Sequence, residues 1–461
     1  MKLQRHSLFS IFLFLGIVSS SFASESPTFT FQPAQPLLED VVTIRVTGLN
    51  PKERIQINAV QKDELGRSWQ SYATFEADKK GVVDIGKVAP LAGSYSGVDP
   101  MGLFWSMYLN VLEKQRSSYW HTTLSPIEVT FTAKRSEGNA VTGKVIRRII
   151  KDGIKKIEIR NNGVVGNLFL PAGKAQHHGI IVLGGSEGGI PNDAYVAQFA
   201  NKGFAAFGLA YYRENGLPAH FANIPMEYFR NAIDALKAYP DVDSSHLAIV
   251  GSSTGGVAAL LCASQYPDIK AVISIIGGAI LFQSIDPDPS VKGIQSNFTL
   301  GGTPLPFVPV KSPELTPENL NTAYYLRIFL SSLFATSDNL VEQSTISVER
   351  INGPILLIGA SNDRLFGSAF LNSKAYNRLT TKNFAHPYDV INYDGVGHTL
   401  GAAGLPGTPT TINSEIIEPY DIGYEYGGNP KDTARAQTDS WKKVFEFLKR
   451  YVTDAKNQPS T

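Results

Sequence analysis

One cysteine in 461 residues leaves no disulfide to form within the chain, so stability has to come from a core, which a chain of this length can build without cross-links. That residue, Cys262, lies among Ala and Leu and reads as a buried small hydrophobe. Excess charge is missing too: 42 Lys and Arg face 41 Asp and Glu, which argues against a nucleic-acid or anionic-membrane partner. No set of His, Cys and Asp has metal-ligand spacing, so neither a metal nor a cofactor is predicted. What is present is 43% hydrophobic residues and 10% aromatics, the composition of a packed globular chain.

The N-terminus reads as a targeting segment. Lys2, Arg5 and His6 form a basic region, Leu8 to Val18 an apolar one, and Ser21-Phe22-Ala23 offers small residues where a signal peptidase cuts. Residues 1–23 are therefore expected to be removed, giving an exported, periplasmic or secreted protein with no stable membrane anchor. The apolar run is short for a bilayer span.

From 27 to 135 the pattern is one of short strands separated by turn signals. Arg54 to Val60 alternates strictly, with Ile55, Ile57 and Ala59 on one face; Val41–Val46, Trp69–Ala77, Val82–Ile85 and Ile127–Thr132 read likewise. Strands without helices between them predict an antiparallel β-sandwich. The small, polar residues 133–143 read as a linker. From 144 to 456, apolar strands such as Ile180–Leu183, Ala205–Tyr211, Leu247–Val250 and Pro354–Ile358 alternate with helical patterns. This predicts a mostly parallel sheet with helices on both faces, the α/β-hydrolase architecture. The alternation breaks at about 281–346, a Pro-, Ser-, Asn- and aromatic-rich stretch with a helix expected near Asn319–Leu333, read as a cap over the site.

The chemistry centres on Gly251-Ser252-Ser253-Thr254-Gly255, between a β-prone run and a helical one. Strand, tight turn with a central Ser, then helix is the context of a nucleophile elbow. A serine hydroxyl needs a base, and the base a partner that fixes its tautomer. In hydrolases of this architecture the order is Ser, acid, His. Asp363 follows the strand ending at Ile358, and His398 follows the strand ending at Tyr393 on a loop that Gly395 and Gly397 allow to bend. Asp394 is the rival acid, and Asp389, within a strand, a weaker one. His121, His177, His178, His220, His246 and His386 lack a matching partner at this level. Two N–H groups are needed for an oxyanion; Thr254 and Ser186, the latter in Gly184-Gly185-Ser186-Glu187-Gly188-Gly189, are the candidates. That loop has neither Gly-Lys-Ser/Thr nor G-x-G-x-x-G spacing, which argues against nucleotide binding. Glu187 reads as a solvated loop carboxylate.

The chain resembles the acyl-CoA thioesterases and bile acid-CoA:amino acid N-acyltransferases over nearly its whole mature length. The run Asp99-Pro100-Met101-Gly102-Leu103-Phe104-Trp105-Ser106-Met107 carries this resemblance most specifically, with Leu168-Phe169-Leu170-Pro171, Leu209-Ala210-Tyr211-Tyr212, the elbow and Ser440-Trp441. The resemblance implies a β-sandwich followed by an α/β-hydrolase domain, with Ser253, Asp363 and His398 at the triad positions. It implies a small-molecule acyl thioester or related ester as substrate, cleaved through an acyl-enzyme. Family members that transfer acyl groups to amino acids tend to carry Cys at the elbow, so Ser253 favours water as acceptor. Transfer to an amine and a non-catalytic binding protein stand as alternatives. Three features depart from the family: the export signal, the lack of a dense Lys/Arg cluster in the site loops for the phosphates of CoA, and the stretch Gly401–Ile417 inserted before Pro419-Tyr420.

Overall fold

The computed structural model describes residues 26–109, 119, 121–135, 139–173, 175–311, 324–400, 404–405, 411–412 and 424–454. Residues 1–23, read above as a targeting segment, and Pro419-Tyr420 lie outside them, as does most of the 401–417 stretch.

The first part contains β1 (Thr28–Gln32), β2 (Thr43–Thr47), β3 (Arg54–Lys62), β4 (Ser68–Glu76), β5 (Val83–Asp84), β6 (Ala92–Gly93), the short helix α1 (Gly102–Trp105), β7 (Tyr108–Leu109), β8 (Ile127–Arg135) and β9 (Val141–Arg147). One antiparallel sheet runs β1-β2-β5; a second runs β6-β4-β3-β8-β9, with β7 also on β4. Period-two patterning does what it should: Ile55, Ile57 and Ala59 of β3 are buried, in one core with Ile44, Val46, Phe75 and Phe131.

The linker reading of 133–143 is corrected by strand pairing. β8 runs on to Arg135, and β9 returns beside it from Ala133↔Val141 to Ile127↔Arg147. Small polar residues here form a hairpin and the solvent face of its strands, which local composition cannot tell from a linker.

The second part holds an eight-stranded sheet. Its strands are β10 (Lys155–Asn161), β11 (Val164–Leu170), β12 (His177–Leu183), β13 (Ala205–Ala210), β15 (Val242–Ser252), β16 (Ile269–Ile275), β19 (Ile355–Ala360) and β20 (Tyr388–Tyr393). Their spatial order is β10-β11-β13-β12-β15-β16-β19-β20. The two pairings β10–β11 and β11–β13 are antiparallel; all the others are parallel. This is the α/β-hydrolase fold. Alternation along β15 feeds two cores. Leu247 and Ile249 pack with Phe229, Ile233 and Leu236 of α3 (Met226–Lys237), Leu260 of α4 (Thr254–Gln265) and Leu371 of α7 (Ser368–Thr381). Ala248 and Val250 pack with Val196 and Phe199 of α2 (Asp193–Asn201) and with Trp441, Val444 and Leu448 of α8 (Pro430–Leu448).

Within the insertion, β17 (Phe298–Leu300) joins β14 (Ile224–Pro225) and β18 (Thr303–Pro304) in a small sheet, followed by α5 (Tyr324–Phe334) and α6 (Asp338–Ser344). Phe282 and Phe329 meet face to edge and anchor this stretch on the sheet-side core. The short pair β21 (Thr411–Ile412) and β22 (Tyr424–Glu425) precedes α8. Among the described residues no helix is long and apolar enough to cross a membrane.

Candidate active site

At the carboxyl end of β15 the chain turns directly into α4. Ser253 takes φ 56° and ψ −124°, a region costly for a residue with a Cβ and kept only where surrounding contacts enforce it. Its N–H is tied to the Ile275 carbonyl at 2.9 Å. The turn needs glycine at Gly255, where an added Cβ would come 2.2 Å from the Gly184 carbonyl oxygen. Strand, helix and glycine loop thus meet with no room between them.

His398 Nε2 lies 2.8 Å from Ser253 Oγ, and His398 Nδ1 lies 2.9 Å from Asp363 Oδ2. The chain spacing of 145 and 35 residues between these pairs is closed by the sheet: β15 leads into Ser253, β19 into Asp363 and β20 into His398, all at one end of it. Asp394 and Asp389 are both exposed and take no part. Asp363 is buried, and its Oδ1 accepts from the N–H groups of Leu365 and Phe366 at 3.0 and 2.9 Å, while Oδ2 accepts from that of Ser368 at 3.1 Å. Burial opposes its charge, but the His398 imidazole and these donors outweigh burial and hold the carboxyl at about 2. Such a site can hold an imidazole in one orientation against a hydroxyl.

The histidine loop has a brace that the sequence did not reveal. The His398 N–H donates to the Tyr426 carbonyl at 2.8 Å, and the two rings lie stacked 12° from parallel. Asp363 and Val396 pair with Gly427 and Gly428 in isolated bridges. A Cβ on Gly397 would sit 2.2 Å from the Gly427 carbonyl oxygen. The Gly427-Gly428 pair just before the α8 start was the one available signal.

Thr254 and Ser186 line the same cavity as Ser253 and His398, a space of about 470 Å³. Thr254 is the first residue of α4, so its N–H is free of intrahelical bonding by position. Two phenols secure the Ser186 loop: Tyr211 donates to the Gly184 carbonyl at 3.0 Å and Tyr212 to that of Gly185 at 3.2 Å. Burial pushes both phenols up, keeping them donors. Glu187 does more than meet solvent: its Oε1 accepts the Gly185 N–H at 2.8 Å and pins the loop from within. Cys262 is fully buried in α4, and burial pushes its thiol up.

The 281–346 stretch adds a second polar group to the cavity wall. Asp286 Oδ2 is 2.9 Å from Arg213 Nη2 and accepts the Phe221 N–H at 3.0 Å; its Oδ1 is 3.0 Å from His220 Nδ1. Burial works against the Asp286 charge, and His220, the Phe221 N–H and Arg213 hold its carboxyl below the usual range. His220 therefore does have an acidic partner, as does His121, whose Nδ1 lies 3.3 Å from Glu64. Both partners are more than fifty residues away along the chain, beyond any local pattern. An apolar recess walled by Val257, Phe282 and Phe298 opens beside Thr254 and shares Phe221, Phe329 and Phe366 with the main cavity.

Comparison with known proteins gives the family. The description "BAAT / Acyl-CoA thioester hydrolase C terminal" matches residues 224–454, and "Acyl-CoA thioester hydrolase/BAAT N-terminal region" matches residues 39–161. The chain belongs to the acyl-CoA thioester hydrolase/BAAT family. Ser253, Asp363 and His398 all fall in the matched C-terminal region, while Ser186 lies between the two matches. Mouse acyl-coenzyme A thioesterase 6 is 26% identical over 439 residues, covering 93% of this chain and 98% of that protein. Mouse acyl-coenzyme A thioesterase 3 is 27% identical, at 94% and 96% coverage. Human acyl-coenzyme A thioesterase 1 is 26% identical, at 90% and 94%. Among solved structures, a Mycobacterium tuberculosis puromycin-hydrolyzing peptidase is 13% identical with a TM-score of 0.40, covering 85% of this chain and 53% of that one. A Pyrococcus furiosus esterase is 12% identical with a TM-score of 0.36, at 65% and 91% coverage. Both are distant likenesses of fold.

Proposed function

We propose that the protein is a serine hydrolase of acyl thioesters or related carboxylic esters, with Ser253 as nucleophile, His398 as base and Asp363 as its orienting acid. The observation that carries this is the continuous hydrogen-bonded line Ser253 Oγ, His398 Nε2, His398 Nδ1, Asp363 Oδ2, at 2.8 and 2.9 Å. Family membership and relatives named acyl-coenzyme A thioesterases support the thioester. As Ser253 Oγ bonds to the acyl carbon, its proton passes to His398 Nε2. The carbonyl electron pair moves onto oxygen, held by the N–H groups of Thr254 and Ser186. Collapse breaks the bond to the leaving group, which takes the proton from His398. Water then attacks the acyl-enzyme with His398 again as base; the acid departs and Ser253 regains its proton. The targeting pattern at residues 1–23 supports action outside the cytoplasm.

A chromogenic thioester assay with Ser253→Ala tests this. Turnover should fall by about 10⁴-fold or more, and a fluorophosphonate probe should label the unchanged protein but not the variant. Near-normal rates in the variant would end the assignment.

A further inference from the structure

We propose that Arg213 is a positioning residue for the reaction: its guanidinium ties the loop carrying Ser186 to the insertion at Asp286, so the aim of the oxyanion N–H and the seating of the insertion depend on each other. The proposal rests on reading Ser253 as the nucleophile and the Ser186 N–H as an oxyanion donor.

Three consecutive side chains leaving β13 hold four consecutive carbonyls of that loop. Tyr211 donates to Gly184 and Tyr212 to Gly185, at 3.0 and 3.2 Å. Arg213 Nη1 then reaches the carbonyls of Ser186 at 3.4 Å and Glu187 at 3.5 Å. In return the Gly189 N–H donates to the Tyr212 carbonyl at 2.8 Å. A peptide unit is planar, so its carbonyl and N–H turn together. Tyr212 therefore sets the plane that contains the Ser186 N–H, and Arg213 sets the next one. With both planes fixed, that N–H is aimed before the reaction begins.

The arm is constrained to lie on the loop. Arg213 has φ 53°, a left-handed conformation that a residue with a Cβ keeps only under constraint. Its N–H donates to the Pro218 carbonyl at 2.7 Å. Its stem crosses Gly188, where an added Cβ would come 2.8 Å from Arg213 Cβ. The guanidinium lies 5.6 Å from the centre of the Tyr212 ring.

Nη2 faces the other way and meets Asp286 Oδ2 at 2.9 Å. Ser186, Arg213 and Asp286 all line the cavity that holds Ser253. The Arg213 side chain is 43% exposed, so its charge alone contributes little, and the directed fork is what matters. A planar guanidinium serves both walls at once; a lysine ammonium is a point charge without that fork. The two carbonyl contacts are long, and contacts of this kind tighten when substrate is bound.

The test measures a chromogenic thioester beside an alkyl trifluoromethyl ketone, which forms a tetrahedral adduct with an active serine. Arg213→Met should lower kcat by about tenfold or more with KM changed by less than about threefold. It should weaken the ketone by the factor by which kcat/KM falls, because both need the same N–H. Arg213→Lys should stay within about threefold of Arg213→Met. Asp286→Asn should lower kcat by about threefold or more in the unchanged protein and by less than about 1.5-fold in Arg213→Met. An unchanged kcat, a loss confined to KM, an unchanged ketone affinity or full recovery in Arg213→Lys overturns the proposal and leaves the hydrolase reading intact. Failure of the unchanged protein to turn over the thioester, with no fluorophosphonate labelling of Ser253, overturns both. If circular dichroism shows Arg213→Met to be misfolded, Arg213→Lys and Asp286→Asn decide by the same measurements.

Discussion

Two histidine–aspartate pairs each place one member, His398 and Asp286, on the wall of the same cavity. His398 meets Asp363 at 2.9 Å and His220 meets Asp286 at 3.0 Å, so the contacts are nearly alike. Their surroundings differ. The side chains of His398 and Asp363 are 5% and 0% exposed, those of His220 and Asp286 34% and 25%. Beyond the first imidazole lies a serine hydroxyl held on a strained turn; beyond the second carboxylate lies a guanidinium that already satisfies it. The difference teaches that an imidazole–carboxylate contact is not a reactive unit by itself. It becomes one when the other ring nitrogen faces a nucleophile and the carboxylate is buried with only N–H groups around it.

Substitution can break that contrast. Asp363→Asn should lower kcat by about 10³- to 10⁴-fold with the fold retained, since the amide would favour the wrong tautomer of His398; steady-state kinetics beside circular dichroism measures it. A loss under tenfold would place the two pairs on one footing.

Tyr212→Phe is the next effect in size. Removing the phenol from the Gly185 carbonyl loosens the loop that carries Ser186, and kcat should fall by about tenfold with KM little changed. An unchanged kcat would show that the loop holds its shape without the phenol.

Acid stability sharpens the comparison through the buried pair. The Asp363 carboxyl is held at about 2 against an ordinary 3.8. Its folded value is the lower one, so its charge stabilises the native state above the unfolded value. That contribution is lost as pH falls from 3.8 toward about 2. Urea unfolding across this window should show a shallower pH dependence for Asp363→Asn than for the unchanged protein. Equal slopes would mean the buried carboxylate is not the acid-sensitive group.

The smallest effect belongs to the exposed pair. His220→Ala leaves Arg213 and the Phe221 N–H on Asp286, and kcat/KM for a neutral thioester should change by less than about threefold. A large loss would promote this pair to a role in the reaction.

Much of this molecule was readable in advance. Period-two strands in β3 and β4, the unbroken apolar runs within β12 and β15, and the strand–turn–helix setting of Ser253 each follow from local chemistry: side-chain alternation, burial on both faces, and a tight turn that Gly251 and Gly255 make possible; Asp363 and His398 were singled out by the Ser, acid, His order of that architecture. The hairpin of β8 and β9 was not readable, because strand pairing is a contact between segments and leaves no mark in polar residues such as Lys134 or Thr142.

By itself the sequence determined which residues are able to react and which segments must be strand or helix, because both depend on covalent chemistry and near-neighbour geometry. Only the tertiary structure brought Asp363, and not Asp394, within hydrogen-bond distance of His398, set Tyr426 behind that histidine, and tied Arg213 to Asp286. Those choices depend on which chain ends the sheet brings together, and distances across a sheet are fixed by packing, not by separation along the chain.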